Sequence, residues 1–317
     1  MQNRNSLKSL NGKVRHIDFS VIIPVWRGAI KYLPRLFDSI PEKDGIEIIV
    51  VDNSDDPVIR EEIASDREIL FLHSAPERHA GGSRNDGIAA AKGKWLIFAD
   101  ADDYFSENAF DVFYRYIDTD AEIVYTCPQG VYDDTNEYSD RGVHYYDLVC
   151  NYIDGKVSED DLRFEFGTPW AKMVSHELVD REKLRYDEIR ASNDIYFSVT
   201  SGFYARKIEA DKSITYYITV NRGSLTRRRD FESLNARLYG SAHRNLFFRQ
   251  HGLKNRQTSV MSILYKARKL SFKQKLELIK TLIKFKQNPF IGWRNWSNSF
   301  SKAKEIEVRE KNYIVRE

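Results

Sequence analysis

Three carboxylates stand together directly after an apolar run. Residues 94–100, KWLIFAD, have the pattern of a strand, and Asp100, Asp102 and Asp103 fall at its end and within the next few positions. Charges this close repel one another unless a cation lies among them. Oxygen ligands suit Mg²⁺ or Mn²⁺, which typically takes one or two carboxylates together with substrate phosphates. Taken alone, the same residues are as typical of a solvated acidic turn that caps the following helix.

Two further polar clusters lie at the ends of apolar runs. Residues 24–27 (PVWR) end one run, and residues 52–56 (DNSDD) end the next. Asp52 is a candidate to accept hydrogen bonds from a uracil ring or from ribose hydroxyls, or else to cap the loop that follows it.

A glycine-containing cluster, GGSRN at residues 81–85, opens a predicted helix. Gly81 and Gly82 would allow a close backbone approach, and Arg84 offers a fork of donors to a carboxylate or phosphate; the alternative is an ordinary helix start. The segment is no phosphate-binding loop, since no Gly-Lys-Ser/Thr follows it. The absence of GxGxxG after the first apolar run argues against a dinucleotide-dependent dehydrogenase.

Alternating strands and helices would position these clusters. Continuous apolar runs, typical of strands buried on both faces of a parallel sheet, predict strands at 19–25, 46–52, 69–73, 94–100 and 121–127. Helical spacing is found at 29–40, 57–64, 83–91 and 107–117. The alternation predicts an α/β fold with an open, mostly parallel sheet flanked by helices. Ligands of such sheets bind beyond the carboxyl ends of the strands, where these clusters lie.

The rest of the chain changes character twice. Residues 128–230 are rich in Tyr, Asp and Arg, with predicted helices at 170–179 and 194–202 and a strand at 214–220. From Phe231 the pattern is helical. The predicted divisions are therefore a polar segment at 1–17, two halves of one domain at 18–127 and 128–230, and a helical C-terminal extension at 231–317.

The composition is that of a folded protein in a reducing compartment. Apolar residues make up 42% of the 317 residues and charged residues 30%, which excludes a disordered or low-complexity chain. The two cysteines, Cys127 and Cys150, exclude a disulfide scaffold and a cysteine-built zinc site. The first twenty residues lack the apolar run of a signal peptide, and no stretch reaches the ~18 apolar residues of a membrane span. The expected location is the cytoplasm.

Taken in order, the segments of the first half resemble the family-2 glycosyltransferases of the GT-A fold. SVIIPVWRG is similar to that family's opening strand, with Trp26 where Tyr is usual, and IIVVDNSDD to its second nucleotide-binding segment. SRNDGIAAAKGKWLIFADADD matches its ARNxGI and DxDD pattern. The resemblance implies a Rossmann-like sheet whose first half, 18–127, binds a nucleotide sugar. The donor contacts that it implies are Pro24, Val25, Trp26, Asp52, Ser54, Arg84, Asp100 and Ala101. The metal ligands that the resemblance implies are Asp102, Asp100 and Asp103.

The second half resembles the acceptor side of the same family. GTPWAKMVSHELV is similar to a W-x-K segment near the acceptor, which makes Trp170 a candidate to stack on a sugar face or simply to fill the core. YDEIRASNDIYF resembles the segment that carries the general base: Asp194 keeps the position of the base. Asn193 stands where Glu is usual and is, with Trp170, a candidate acceptor-binding residue. Arg222, in a tyrosine-rich stretch, is a candidate second cation at the diphosphate, or else a surface arginine.

The function implied is a single-addition, inverting, metal-dependent transfer of a hexosyl or N-acetylhexosaminyl group. The donor would be a nucleotide sugar, UDP-linked by preference, with Mn²⁺ or Mg²⁺ as cofactor. The acceptor would be a hydroxyl of a glycan or of a polyprenyl-diphosphate-linked glycan in surface-polysaccharide synthesis. Two alternatives stay open. One is a membrane-peripheral binding subunit with an inactive transferase fold. The other is a sugar-phosphate nucleotidyltransferase, but the segment PVWRGAIKY lacks the glycine-rich signature of that class.

A basic region follows the predicted domain. Residues 254–304 hold 13 Lys and Arg against one acid, a net charge of +12, whereas residues 1–253 carry −9. Apolar side chains recur at helical spacing between Leu270 and Lys286, with lysines along one flank. This pattern predicts contact with an anionic membrane surface at the inner face of the cell membrane, or else a helix packed on the domain. Nucleic acid is not expected as a partner.

Overall fold

The apolar runs of the first half form the strands of one mixed sheet. The computed structural model describes residues 6–8, 14–220 and 230–291. Its strands are β1 (Ser6–Lys8), β2 (Val14–His16), β3 (Phe19–Val25), β4 (Ile46–Asp52), β5 (Leu70–His73), β6 (Trp95–Phe98), β7 (Tyr104–Phe105), β8 (Ile123–Tyr132), β9 (Tyr138–Ser139), β10 (Lys172–Ser175) and β11 (Ile208–Val220). The predicted strands at 19–25 and 46–52 are confirmed without a shift at either end.

The helices follow the strands in the order expected of an α/β chain. They are α1 (Leu33–Asp38), α2 (His79–Ala90), α3 (Ala109–Arg115), α4 (Val143–Ile153), α5 (Glu159–Glu165), α6 (His176–Arg181), α7 (Asp194–Tyr204), α8 (Phe231–Gln250), α9 (Met261–Lys266) and α10 (Phe272–Lys284). The helix predicted at 57–64 is reduced to the single 3₁₀ turn Arg60–Glu62.

The sheet has a parallel half and a mixed half. Its strand order is β5-β4-β3-β6-β10-β8-β11-β7, with β9 paired to β8. β5, β4, β3 and β6 run parallel, β10 is antiparallel to both of its neighbours, β8 and β11 are parallel, and β7 is antiparallel to β11. The carboxyl ends of β3, β4 and β6 therefore share one edge of the sheet, which brings the polar clusters of the first half together.

The prediction of one helix over 170–179 is wrong in its first half. Residues 172–175 form β10, which pairs with both β6 and β8, and only the following residues form α6. Lys172, Met173 and Val174 are all fully buried. An apolar run this short fits both the helical and the strand period. The strand forms because β6 and β8 lie on either side of it and both supply backbone hydrogen bonds.

Burial follows the sheet. Every residue of β3 and β6 is buried. Five residues of β3 and all four of β6 belong to one hydrophobic core together with Phe110 and Phe113 of α3. The described residues up to 220 belong to one compact unit, and those from 230 to 291 belong to a second.

The second unit is built from α8, α9 and α10. α8 begins at Phe231, capped by the Asp230 side chain, which accepts from the Ser233 amide over 2.8 Å. A small core of Leu234, Leu238, Val260, Ala267 and Leu278 holds the helices together. In the part of the chain that the structure describes, no helix combines the length and apolar character that a membrane span requires.

Candidate active site

The first turns of α2 pack tightly against residues 186–193. A Cβ on Gly81 would lie 2.0 Å from the carbonyl oxygen of Asp187, so only glycine fits there. Asn85 Nδ2 donates to the carbonyl oxygen of Tyr186 over 3.0 Å, and the Tyr186 amide donates back to Asn85 Oδ1 over 2.8 Å. The close backbone approach expected at Gly81 is thus made by another segment of the protein.

Arg84 joins two of the predicted clusters. Its side chain is buried, with Arg84 4% exposed, and Nη2 donates to Asp100 Oδ1 over 2.5 Å while Nη1 donates to Asn193 Oδ1 over 2.8 Å. Asp100 follows β6, and Asn193 directly precedes the first residue of α7. The arginine fork therefore connects the acidic turn to the segment in which the general base is predicted.

The three acids of the turn after β6 have different surroundings. Asp103 is 3% exposed, and its Oδ1 accepts from the Thr219 amide over 2.7 Å. Thr219 Oγ1 donates to the carbonyl oxygen of Asp102 over 2.6 Å, and the Arg35 guanidinium donates to the same oxygen over 2.7 Å. Asp103 thus fixes the turn against β11, and Asp100 is paired with Arg84.

The carboxylate of Asp102 is left without a partner beyond its own backbone among the described residues. Burial raises its pKa to about 6, and the neighbouring charge of Asp100 adds to the increase. A cation would relieve both effects. Within the described ranges no group of three or more His, Cys, Asp or Glu side chains is arranged to hold a metal ion. Asp102 with Asp100 nevertheless fits an ion that takes one or two carboxylates and completes its shell with phosphate oxygens.

Asp194 is the first residue of α7 and is coupled electrostatically to this cluster. Burial raises the pKa of its carboxyl to about 6, against the opposing pull of the Arg84 guanidinium. A carboxylate with a pKa in this range is ionised at neutral pH and still able to accept a proton, as general-base catalysis requires. The structure thus brings the predicted base, Asp100 and Arg84 into one electrostatically coupled group.

Lys172 is a second charged group coupled to Asp194. It is fully buried on β10, and within the described part of the chain its Nζ has one hydrogen-bond partner, Ser198 Oγ at 3.2 Å. The rings of Tyr125 and Phe166 lie 5.8 and 5.5 Å from Nζ. Burial lowers the pKa of Lys172 to about 7, and the charge of Asp194 opposes the decrease. Asp194 is therefore the anion that compensates this buried ammonium group.

Asp52 closes the loop after β4. Its side chain is 1% exposed; Oδ1 accepts from Ser54 Oγ over 2.5 Å, and Oδ2 accepts from the Val58 amide over 3.0 Å. Ser54 Oγ in turn accepts from the Arg27 amide over 2.7 Å, and the Asn53 amide donates to the Val25 carbonyl over 3.0 Å. The loop-capping role is thus present in the structure, and recognition of a base by Asp52 stays a prediction.

Trp26 presents an aromatic surface at the end of β3. Its side chain is 57% exposed, and the indole lies over Gly28, where a Cβ would come within 2.2 Å of the ring. Pro24, Val25 and Ala101 are buried beside the same sheet edge. Arg222 lies outside the described residues, so its role at the diphosphate stays a prediction.

Trp170 lies in the core. It is 7% exposed, stacks on Tyr216 with ring centroids 5.7 Å apart and meets the edge of Tyr145 at 5.4 Å. The Tyr216 hydroxyl accepts from the Asp100 amide over 2.8 Å. Trp170 therefore supports the acidic turn through Tyr216, and its contact with an acceptor sugar stays a prediction.

Two charged residues at this site are missing from the sequence-based set. Lys172 is part of the W-x-K pattern, so its spacing from Trp170 could have indicated it. Arg35 stacks on Tyr104 at 4.9 Å and contacts both Asp133 and the Asp102 carbonyl. Its partners lie 67 and 98 residues away along the chain, and no sequence pattern links them.

Comparison with known proteins identifies the family of the chain. The family model described as Glycosyl transferase family 2 matches residues 20–179. The chain is 27% identical over 194 residues to EpsH of Bacillus subtilis (strain 168), which is named as a putative glycosyltransferase; the match covers 58% of this chain and 55% of that protein. It is 24% identical to the poly(ribitol-phosphate) beta-glucosyltransferase of Bacillus spizizenii, over 64% of this chain and 32% of that protein. The chain thus spans about half and about a third of these two relatives.

Solved structures share the fold. The S. aureus TarS 1–349 structure in complex with UDP-GlcNAc superposes with a TM-score of 0.57 at 17% identity, over 85% of this chain and 80% of that one. The mannosyltransferase PcManGT from Pyrobaculum calidifontis, in complex with GDP-Man and Mn²⁺, gives a TM-score of 0.52 at 14% identity, over 92% and 86% of the two chains. The architecture is therefore the GT-A fold.

Proposed function

The chain belongs to glycosyl transferase family 2, and from this membership we propose that it is a metal-dependent, inverting glycosyltransferase. It moves one sugar from a nucleotide-sugar donor to a hydroxyl of a glycan or lipid-linked glycan acceptor. The observation that carries the proposal is the buried Arg84, whose fork holds Asp100 of the acidic turn and Asn193 beside Asp194 at the same time. One guanidinium group therefore holds both the acidic turn, which would face the leaving group, and the segment of the proposed base, which would accept the proton.

On the donor side, the exposed face of Trp26 offers a stacking surface for the nucleotide base. Asp52 and Ser54 fix the loop after β4 next to Trp26, because Ser54 Oγ donates to Asp52 and accepts from the Arg27 amide. Asp102, with Asp100, would hold Mn²⁺ or Mg²⁺, and this ion supplies charge neutralisation for a leaving diphosphate. UDP is favoured as the nucleotide because a structural relative, TarS, is described in complex with UDP-GlcNAc.

On the acceptor side, Asp194 takes the proton of the attacking hydroxyl. Its position at the first turn of α7, on an element separate from the acidic turn, suits a base that acts on the face of the sugar opposite to the leaving group. One base and one displacement invert the anomeric centre. Asn193 positions Arg84 next to this base through its side-chain oxygen.

The solvent-exposed side of α10 supports attachment to a membrane. On α10, four apolar side chains point to solvent, Phe272 at 78%, Leu276 at 41%, Ile279 at 47% and Ile283 at 69% exposure. Their spacing of four, three and four residues places them on one face, which we name the α10 ridge. Lysines flank it on both sides. We place the enzyme in the cytoplasm, bound peripherally to anionic lipid at the inner face of the cell membrane, where a polyprenyl-diphosphate-linked acceptor would be presented.

A thermal-shift panel of UDP, GDP, dTDP and CDP, each with and without Mn²⁺, tests the proposed reaction. A ligand present at about 100 times its Kd stabilises the folded state by about 2.7 kcal/mol, which gives a clear rise in Tm. We expect one nucleotide to raise Tm only with Mn²⁺, and Asp102→Asn to remove this rise. Asp134→Asn is the matched control, because Asp134 is an exposed carboxylate outside the site.

The same panel separates the proposal from its alternative. If no nucleotide raises Tm under any condition, the transferase site does not bind a donor, and the chain is better described as a membrane-peripheral subunit with an inactive fold. If a nucleotide binds and Asp102→Asn changes nothing, the metal assignment is wrong while the donor site stands.

A further inference from the structure

A separate cavity lies beside the acidic turn, entirely within the first unit. It has a volume of about 280 Å³ and lies between the second half of β8, β9 and the first turns of α4. Its walls include Gln129, Tyr138, Arg141, Tyr146 and Asp147. The volume is near the lower end for small-molecule sites, which fits one sugar ring better than an extended ligand.

The backbone around the cavity is fixed by a close contact. A Cβ on Gly130 would lie 2.4 Å from the carbonyl oxygen of Arg141 and 2.7 Å from that of Ser139. Gly130 also pairs with Ser139 across the β8–β9 ladder. The segment that carries Arg141 is therefore pressed against β8, and the cavity wall that it forms is built into the fold.

Three polar side chains of this wall are open to solvent and have no side-chain partner in the described protein. Within the part of the chain that the structure describes, Gln129, Arg141 and Asp147 make no side-chain hydrogen bond or ion pair. Arg141 lies close enough to the acidic turn for its charge to lower the pKa values of Asp102 and Asp103, against the larger effect of burial. The backbone gives the same proximity: Gly130 of the cavity wall pairs with Ile218, and the next residue, Thr219, donates its amide to Asp103. The cavity and the proposed metal ligands are therefore neighbours.

The mixture of groups indicates the ligand. A cation alone would suit a phosphate, but here a guanidinium, a carboxylate and an amide line one small cavity. Hydroxyl groups both donate and accept hydrogen bonds, so a neutral polyol can satisfy all three. The rings of Tyr138 and Tyr146, 62% and 36% exposed, add apolar surface of the kind that packs on the C–H face of a sugar.

We propose that this cavity binds a neutral sugar of the acceptor, with Arg141 donating to its hydroxyl oxygens and Asp147 and Gln129 accepting from its hydroxyl groups. The proposal rests on the proposed function, because a sugar held beside the acidic turn presents a hydroxyl to the donor site. It assigns acceptor recognition to β8, β9 and α4, in addition to the segment around Trp170 and Asn193.

Saturation-transfer NMR with the methyl glycosides of glucose, galactose, mannose and N-acetylglucosamine, in the presence of UDP and Mn²⁺, tests the proposal. We expect at least one glycoside to bind, and its affinity to fall about tenfold or more in both Arg141→Met and Asp147→Ala, since each variant has no group left at that position to pair with a sugar hydroxyl. Asp134→Asn, an exposed carboxylate in the β8–β9 turn, is the matched control and should bind the glycoside normally.

The nucleotide thermal shift is recorded on the same samples. Loss of glycoside binding with the nucleotide shift retained supports the acceptor site. Binding retained in either variant, or no glycoside binding to the native chain, overturns it. Loss of the nucleotide shift in both variants also overturns it, because the cavity would then belong to the donor site. The nucleotide shift of the native chain reports separately on the proposed function.

Discussion

Arg84 donates to the carboxylate of Asp100 across 2.5 Å, in a position where the arginine is 4% exposed. The pair joins α2 to the turn after β6, and the second arm of the same guanidinium reaches Asn193 at the start of α7. Three separate elements, one of them 109 residues from Arg84 along the chain, are therefore joined by one side chain. A disturbance of Arg84 should act on stability and on activity together.

The first prediction concerns Arg84→Met, which keeps an unbranched apolar stem and removes the guanidinium group. Asp100, whose side chain is 35% exposed, and Asn193 would lose their shared donor. Loss of a hydrogen bond to a charged group costs about 1.5–3 kcal/mol in the free energy of unfolding. Arg115→Met is the matched control: Arg115 contacts Asp211 over 2.8 Å but is 56% exposed, so it should cost about 1 kcal/mol or less. Urea denaturation measures both. Equal losses in the two variants would contradict the bridging role of Arg84.

Sequence patterns identify the parallel half of this fold because its signals are local. β3 and β4 are continuous apolar runs, and runs of this length and composition are typical of strands covered on both faces. β10 is different: its four residues carry no period of their own, and the strand exists because β6 and β8 leave a position between them. A prediction made one segment at a time contains no information about that position.

The candidate site divides in the same way. The family resemblance selects the acids after β6 and Asp194 as candidates because they stand in a recognisable order along the chain. The burial of Lys172 depends on Tyr125 and Phe166, which come from other elements, and the free groups of the β8–α4 cavity come together only in three dimensions. Whether a polar side chain has a partner depends on all of its neighbours in the folded chain. Such groups therefore cannot be recognised from the sequence alone.

The second prediction is an acid limb in the pH–rate profile. Because burial raises the pKa of Asp194 to about 6, the fraction of ionised base rises as pH increases through this value, and kcat/KM should rise with it and level off above pH ~7. Asp194→Asn should abolish transfer while leaving the nucleotide thermal shift in place. Full activity of the variant, or a profile flat down to pH ~5, would exclude Asp194 as the base.

Asp194 should also affect stability, with a defined sign. A carboxyl whose pKa is higher in the folded than in the unfolded chain binds protons more tightly when folded, so its contribution to stability is lost as pH rises from about 4 to about 6. Asp194→Asn removes this loss. We therefore expect the variant to be more stable than the native chain at pH ~7, by about 3 kcal/mol, and the difference to fall to about 0.5 kcal/mol or less at pH ~4 and below. Guanidinium denaturation at the two pH values measures it, and a difference that does not change with pH would contradict the raised pKa.

The third prediction concerns the effect of the Lys172 charge on the pKa of Asp194. Replacement of the buried ammonium by an apolar side chain in Lys172→Met removes a charge that favours the ionised form of Asp194, so the pKa of Asp194 should rise further. The acid limb of kcat/KM should move to higher pH by about one unit, with a larger loss of activity at pH ~6 than at pH ~8. A loss that is equal at both pH values would indicate a structural role alone.

Ser198→Ala is the matched control for Lys172. It removes the one described hydrogen-bond partner of Nζ but leaves the charge in place. We expect the acid limb of this variant to stay where it is in the native chain. A shift as large as that of Lys172→Met would show that the hydrogen bond, and not the charge, governs Asp194.

The last prediction concerns the α10 ridge. In a helix, successive residues are rotated by about 100°, so Phe272, Leu276, Ile279 and Ile283 share one side, while Leu278 is buried on the other. Lys273 and Lys280 follow one flank of the ridge and Lys275 the other. Each basic residue near an anionic surface contributes about 1 kcal/mol, and the apolar side chains contribute through the area that they remove from water. We therefore expect the chain to bind vesicles that contain phosphatidylglycerol and not vesicles of phosphatidylcholine alone.

The double variant Phe272→Ser/Ile283→Ser should lose vesicle binding without loss of stability, because both side chains are already exposed in the folded chain. Ile59→Ser is the matched control, since Ile59 is 55% exposed in the first unit and away from the ridge in sequence. Co-sedimentation with vesicles measures binding, and analytical ultracentrifugation of the same proteins measures their oligomeric state. If the double variant still binds vesicles, the membrane role of the ridge is wrong. If instead the native chain is a dimer that the double variant converts to a monomer, a second copy covers the ridge, because apolar side chains that pair with each other are no longer free to enter a bilayer.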